Sequence, residues 1–188
     1  MSFRIGLISG LTMVIAVLLA LAAPVQGTIV RFLPLEEQAK TAQLIVVAVA
    51  VSSQSNWSAD SRIIWTDTRF EVTEKVKGDV TGTVTARQIG GRVGEIAQSV
   101  SGSPQFTIGR SYVLFLEPRP DGFYRVVGFS QGCYPVVSGA DGRRRVMPGL
   151  AGAGGVELVG AKESAGAGPQ PLADFLAQVK SYLSQNGQ

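Results

Sequence analysis

Two features of the chain carry residue types that hold ligands: the glycine corner Gly90-Gly91-Arg92-Val93-Gly94 and the indole of Trp57. A glycine run after a strand can cradle a phosphate on bare backbone N–H groups. That chemistry also needs a helix start and a Lys-Ser or Lys-Thr pair next, and neither follows. The corner therefore reads as a bend whose glycines take positive φ and admit a close backbone neighbour, with Arg92 as the side chain able to touch a ligand. Trp57 stands in the expected polar loop Ser52 to Asp60, where an indole serves either as a binding face or as a plug at a barrel end. Trp65 leans toward packing. The ligand-binding candidates are Trp57, Gly90, Gly91, Arg92 and Gly94.

The missing residue types narrow the chemistry further. The chain has no histidine and a single cysteine, Cys133. That removes the Ser-His-Asp triad, the Cys-His pair, the HExxH zinc motif and the imidazole proton shuttle. One thiolate cannot build an ordinary zinc site, so neither a metal nor a cofactor is expected. A carboxylate-only hydrolase or a Ser-Lys enzyme stays open. The conspicuous pair Glu36-Glu37, however, reads as the first turn of a helix, where acids complement the macrodipole. The composition favours a protein that is not an enzyme.

Formal charge is +3, and losing Arg4 with the first 27 residues leaves +2. This is too slight to attract nucleic acid. Arg143-Arg144-Arg145 follow an Asp-Gly turn and read as a solvated hairpin flank, with anionic lipid or polysaccharide as the alternative contact.

The elements that must position these residues are mostly strands. Leu35 to Thr41 reads as a short helix started by Pro34. Leu44 to Val51 is a continuous apolar, largely β-branched run, the pattern of a strand buried on both faces. Ile63 to Val76 alternates apolar and polar, as a half-buried strand does. Thr83 to Ile89, a short strand near Ala97 to Val100, Tyr112 to Leu116, Phe123 to Phe129 and Tyr134 to Val137 follow, with turn residues between them. The pattern predicts a mainly β fold: a five- to six-stranded antiparallel OB-like barrel with a short N-terminal helix and a C-terminal helix.

Residues 1–27 have the layout of a secretory signal. Arg4 precedes an apolar run from Ile5 to Ala23, Pro24 breaks it, and Val25-Gln26-Gly27 offers small residues at the exit. Eighteen apolar residues as a helix reach about 27 Å, so an uncleaved anchor is the competing reading. Both place the remainder outside the cytoplasm, secreted or periplasmic. Residues 28–147 form the barrel, 148–171 a Gly/Ala-rich linker, and 172–184 an amphipathic helix with Leu172, Phe175, Leu176, Val179 and Leu183 on one face. Cys133 has no partner for an intramolecular disulfide and is expected in the core.

Several pieces together resemble a family of exported bacterial proteins of mostly unassigned function. They are A-Q-L-I-V-V-A-V (42–49), S-N-W (55–57), V-T-E-K-V-K-G (72–78), R-Q-I-G-G-R-V-G (87–94), V-S-G-S-P-Q-F-T-I-G (100–109), Y-V-L-F-L (112–116) and Y-R-V-V-G-F-S-Q-G-C-Y-P-V (124–136). The resemblance implies an OB-like barrel similar to the netrin-module or metalloproteinase-inhibitor (TIMP) fold. The group looks to be encoded beside matrixin-type metalloproteases, which makes inhibition of a secreted metalloprotease the alternative function. Those inhibitors set an N-terminal cysteine on the protease zinc and lock it with a disulfide. Here processing exposes Thr28, and no intramolecular bridge can form.

The expectation is an exported, non-catalytic binding module whose partner is a protein or glycan of the cell envelope or extracellular space. Nucleic acid is not a partner, and membrane contact arises only through an uncleaved N-terminal segment. N-terminal sequencing of the exported protein is expected to begin at Thr28; a chain beginning at Met1 identifies an anchor instead.

Overall fold

The computed structural model describes residues 28–149, 156–159 and 168–185, the side chains of 28–30 and 156–159 excepted. The signal or anchor reading of residues 1–27, and much of the Gly/Ala-rich stretch, lie outside the described residues. Among the described residues no helix is long and apolar enough to cross a membrane.

Among the described residues, twelve strands and two helices follow one another. β1 (Thr28–Arg31) leads into α1 (Leu35–Thr41), then β2 (Leu44–Trp57), β3 (Ile64–Lys77) and β4 (Thr83–Ile89). The small hairpin β5 (Gly91–Val93) and β6 (Ile96–Gln98) precedes β7 (Ser111–Pro118) and β8 (Tyr124–Val126). A 3₁₀ turn (Phe129–Gly132) leads to β9 (Cys133–Ser138) and β10 (Arg144–Val146). β11 (Val156–Val159), β12 (Gln170–Pro171) and α2 (Leu172–Ser184) complete the series.

Five strands close into a barrel in the order β2-β3-β4-β8-β7 and back to β2. All neighbours run antiparallel except β4 and β8, which are parallel. This is the expected OB-like architecture. One edge of β7 is shared: Ser111 to Leu114 pair with β9, while Leu116 to Pro118 pair with β8. The chain therefore leaves the barrel after Val126 and returns to the same strand at Cys133. β10 and β12 extend the sheet beyond β9.

The apolar run of β2 is buried on both faces, as its composition requires. Leu44, Val46 and Ala48 join Phe70, Val84, Leu114 and Leu116 inside the barrel. Ile45 and Val47 join Val113, Phe115 and Val136 outside it, beneath the two helices. α2 lays Leu172, Phe175, Leu176 and Val179 on this outer layer, so its apolar face is docked on the barrel. Phe175 meets Tyr134 at 4.9 Å between ring centroids, and Phe115 meets Tyr134 at 5.5 Å. Cys133 is 5 % exposed within the barrel core, and burial pushes its thiol pKa up.

α1 is too short to be stable alone and is held from both ends. Lys77 Nζ donates to the carbonyl oxygens of Ala39 (2.8 Å), Lys40 (3.2 Å) and Ala42, placing a cation on the helix C-terminus. Glu36 pairs with Lys40 and Glu37 with Arg31, so the acidic pair is a first-turn feature. Ahead of the helix, the buried Gln131 accepts from Leu33 N (2.8 Å) and donates to Arg31 O (2.9 Å). β1 pairs in parallel with β11, a strand inside the Gly/Ala-rich stretch.

Three local expectations need correction. The polar loop expected from Ser52 to Asp60 is strand as far as Trp57, which pairs with Ile64 of β3, and only the residues after Trp57 turn. Hydroxyl pairs Ser53–Thr68 (3.2 Å) and Ser55–Thr66 (2.8 Å) stand across the ribbon where apolar pairs would otherwise be. Near residue 97 there is a hairpin rather than one strand. The strand expected from Phe123 to Phe129 stops at Val126, because Gly128 (φ +61°) and Phe129 (φ +62°) are both left-handed.

Phe175→Ala removes a fully packed ring from between barrel and helix. It is expected to cost about 3–5 kcal/mol in urea unfolding; a loss below about 1 kcal/mol contradicts this packing.

Candidate functional site

The candidate positions gather at the barrel end where the β2–β3 ribbon turns. Trp57 is the last residue of β2, half-buried and paired with Ile64. It shares a strand face with Ser55 two residues earlier, and Ser55 Oγ lies 3.4 Å from the Arg92 amide nitrogen. The β5–β6 hairpin, which carries Arg92 and turns at Gly94, thus sits over this end of the ribbon. Gln98 fastens it, accepting from Ile64 N (2.6 Å) and donating to Arg62 O (3.0 Å).

The glycine corner has a steric cause. A Cβ on Gly91 would fall 2.1 Å from Thr66 Oγ1 and 2.5 Å from Ser55 Oγ, so only hydrogen fits against that hydroxyl pair. Thr66 Oγ1 also donates to Gly90 O (2.6 Å). Gly90 (φ +99°) turns the chain out of β4. Gly94 (φ +59°) has open space around it, and Arg92 is exposed. The corner and hairpin form a cap on the barrel end rather than a cradle.

One recess lies next to Ile89, where the barrel seam parts. β4 and β8 run parallel and pair at Ala86–Tyr124 only; beyond that bridge Arg125 and Val126 run beside Arg87 and Gln88 without pairing to them, so the two strands diverge. The bond from Gly90 N to Ile64 O (2.8 Å) fixes the ladder alternation: Gln88 bonds to β3, while the backbone groups of Arg87 and Ile89 face the seam. There Ile89 O accepts from Ser103 Oγ (2.8 Å). The result is a cleft of about 330 Å³, within the range that takes a small ligand or one anchoring residue. Ala86 and Val126 form its floor, Val100 and Pro104 one side, and Ile89 and Phe129 its rim.

One wall of this cleft is built from stacked ions and rings. Asp67 and Arg87 oppose each other in a non-hydrogen-bonded pair of β3 and β4, the register that brings side chains closest. Arg87 Nε and Nη2 each donate to an Asp67 carboxylate oxygen at 2.7 Å. Arg87 also lies 3.5 Å from the Phe123 ring centroid and reaches Asp121 at 3.2 Å. Asp121 is shared with Arg119 (3.0 Å), whose guanidinium covers Trp65 at 5.0 Å. Hydrogen bonding from Arg119 lowers the Asp121 pKa against desolvation, and hydrogen bonding to Asp67 raises that of Arg87. This chain fixes the β7–β8 turn against β3 and β4, which keeps the wall rigid.

Two polar groups of the cleft retain capacity. Gln88 Oε1 is buried and has no hydrogen-bond partner among the described residues. Arg125 commits its Nε to Glu117 (2.7 Å), and its two Nη atoms take no partner among the described residues. Phe129 is the third anomaly, a 48 % exposed aromatic held at φ +62°. A bulky residue in the left-handed region is strained, and such strain collects at binding sites.

None of the sequence candidates lines this cleft, and Gly90 adjoins it through Ile89. Arg87, Gln88, Arg119, Arg125 and Phe129 were missed because they come from four separate segments. The available signals were weak: arginine inside a Pro-Asp-Gly turn, and phenylalanine directly after a glycine. Among the described residues no three His, Cys, Asp or Glu side chains gather to hold a metal ion. No family model matches the chain, and no curated protein matches it.

The two glycines separate steric from conformational demand. Gly94→Ala is expected to cost on the order of 1 kcal/mol, the price of a left-handed L-residue. Gly91→Ala also drives a methyl into two hydroxyls and is expected to cost at least about 2 kcal/mol more. Equal urea midpoints for the two variants would contradict the close approach at Gly91.

Proposed function

We propose that this protein is an exported, non-catalytic binding module and that its ligand seats in the seam cleft between β4 and β8. Phe129 carries the reading. Its left-handed backbone holds a large apolar ring at the cleft rim, where it gains little from burial. A residue that costs stability and packs poorly is explained by contact with something else. The adjoining turn between β7 and β8 is one of the loops that OB barrels use for ligands. The partner is a protein or glycan of the cell envelope or extracellular space.

Inhibition of a secreted metalloprotease is the second reading, and one observation favours it. Gln131 clamps Arg31 and Leu33 through both ends of its amide, so the segment after Thr28 is fixed to the barrel without a disulfide. Inhibition that disappears when residues are added before Thr28 would select this reading over the first.

Phe129→Asn supplies a side chain that tolerates left-handed backbone. The variant is expected to melt no lower than wild type while losing most retention on immobilised envelope material. Undiminished retention by Phe129→Asn, with loss in Trp57→Ala instead, would move the site to the hairpin end.

A further inference from the structure

The chemistry of the ligand follows from what the cleft leaves unspent, and this step rests on the binding-module reading above. The charged side chains lining the cleft are Arg87, Arg119, Arg125 and Glu117, so three cations face one carboxylate. Asp67 and Asp121 pair directly with Arg87 and Arg119 and hold them in place, so with Glu117 the charges of the wall balance. What would draw an anion is Arg125, the cation with a free fork, its side chain 61 % exposed. Deeper in, Gln88 Oε1 is a buried acceptor that requires a donor. The remaining surface, Ile89, Val100, Val126 and Phe129, is apolar.

We propose that the cleft captures the free C-terminal residue of an extended polypeptide. Its carboxylate accepts both Nη groups of Arg125, its backbone N–H donates to Gln88 Oε1, and its apolar side chain packs against Ile89, Val126 and Phe129. One donor, one carboxylate and one apolar group match one acceptor, one guanidinium fork and one apolar wall. A sugar ring carries several hydroxyls, and this cleft has too few unpaired polar groups to satisfy them.

The probes are pentapeptides ending in Leu or Phe, the same peptides as C-terminal amides, and a uronic-acid oligosaccharide. Each is titrated against the purified protein with binding mapped on backbone amide NMR signals. The free acids are expected to shift the signals of Gln88, Arg125 and Phe129 and to bind at least tenfold more tightly than the amides. Arg125→Gln, at an exposed position, is expected to keep the melting temperature and erase that tenfold difference. Acids and amides binding the cleft equally, or the oligosaccharide binding there in their place, would overturn the carboxylate proposal while leaving the cleft as a binding site. No shift in the cleft from any probe, together with undiminished envelope retention by Phe129→Asn, would overturn both.

Discussion

A barrel has to return its last strand to its first neighbours, and here that closure falls to Tyr124–Val126, three residues long. β8 reaches β4 at one position, Ala86, before the chain must leave to begin β9 on the same edge of β7. The edge of β7 cannot serve both strands along one stretch, so it is divided between them. Past that bridge the two parallel strands diverge, with Arg125 and Val126 beside Arg87 and Gln88 but not paired to them. The cleft, the left-handed Gly128–Phe129 pair and the unsatisfied Gln88 all lie along the gap this divergence leaves.

The rest of the fold makes such a gap tolerable. β2 and β7 are covered on both faces, with the barrel interior on one side and α1 and α2 on the other. Stability therefore resides in a layer remote from the seam. Within the barrel, Phe70, Phe106 and Tyr112 meet edge to face, with centroid separations of 4.8 to 6.2 Å. Near the seam, order comes instead from polar devices: the Asp67–Arg87–Asp121–Arg119 chain, Ser103 on Ile89, and Gln98 on the β2–β3 ribbon. Rigid walls around an unpaired recess reduce the ordering cost of holding a ligand.

The architecture was legible in the sequence because it rests on local pattern. The run Leu44 to Val51 is apolar at every position until Ser52, and both faces of that strand are buried except toward its end. Leu172, Phe175, Leu176 and Val179 have helical spacing, and all four are buried. The extension of β2 to Trp57 was not legible, since its cross-strand partners are hydroxyls and hydropathy sees only polarity. The cleft was least legible. Arg87, Arg119 and Arg125 each look like a solvated residue in their own segment, and the register of three strand pairs is what brings them together. The glycine corner was read correctly as a close approach, yet nothing local says that it meets Ser55 and Thr66.

The claim that organises this account is that the barrel stands open past Ala86. Amide hydrogen exchange measured residue by residue along β4 tests it most directly, because alternate amides of that strand face opposite sides. The amide of Gln88, bonded toward β3, is expected to be protected close to the global level, and that of Ile89, facing the seam, to exchange faster by orders of magnitude. Equal, slow exchange at Gln88 and Ile89 would mean that the seam is paired along its length, and the cleft would not exist as a site.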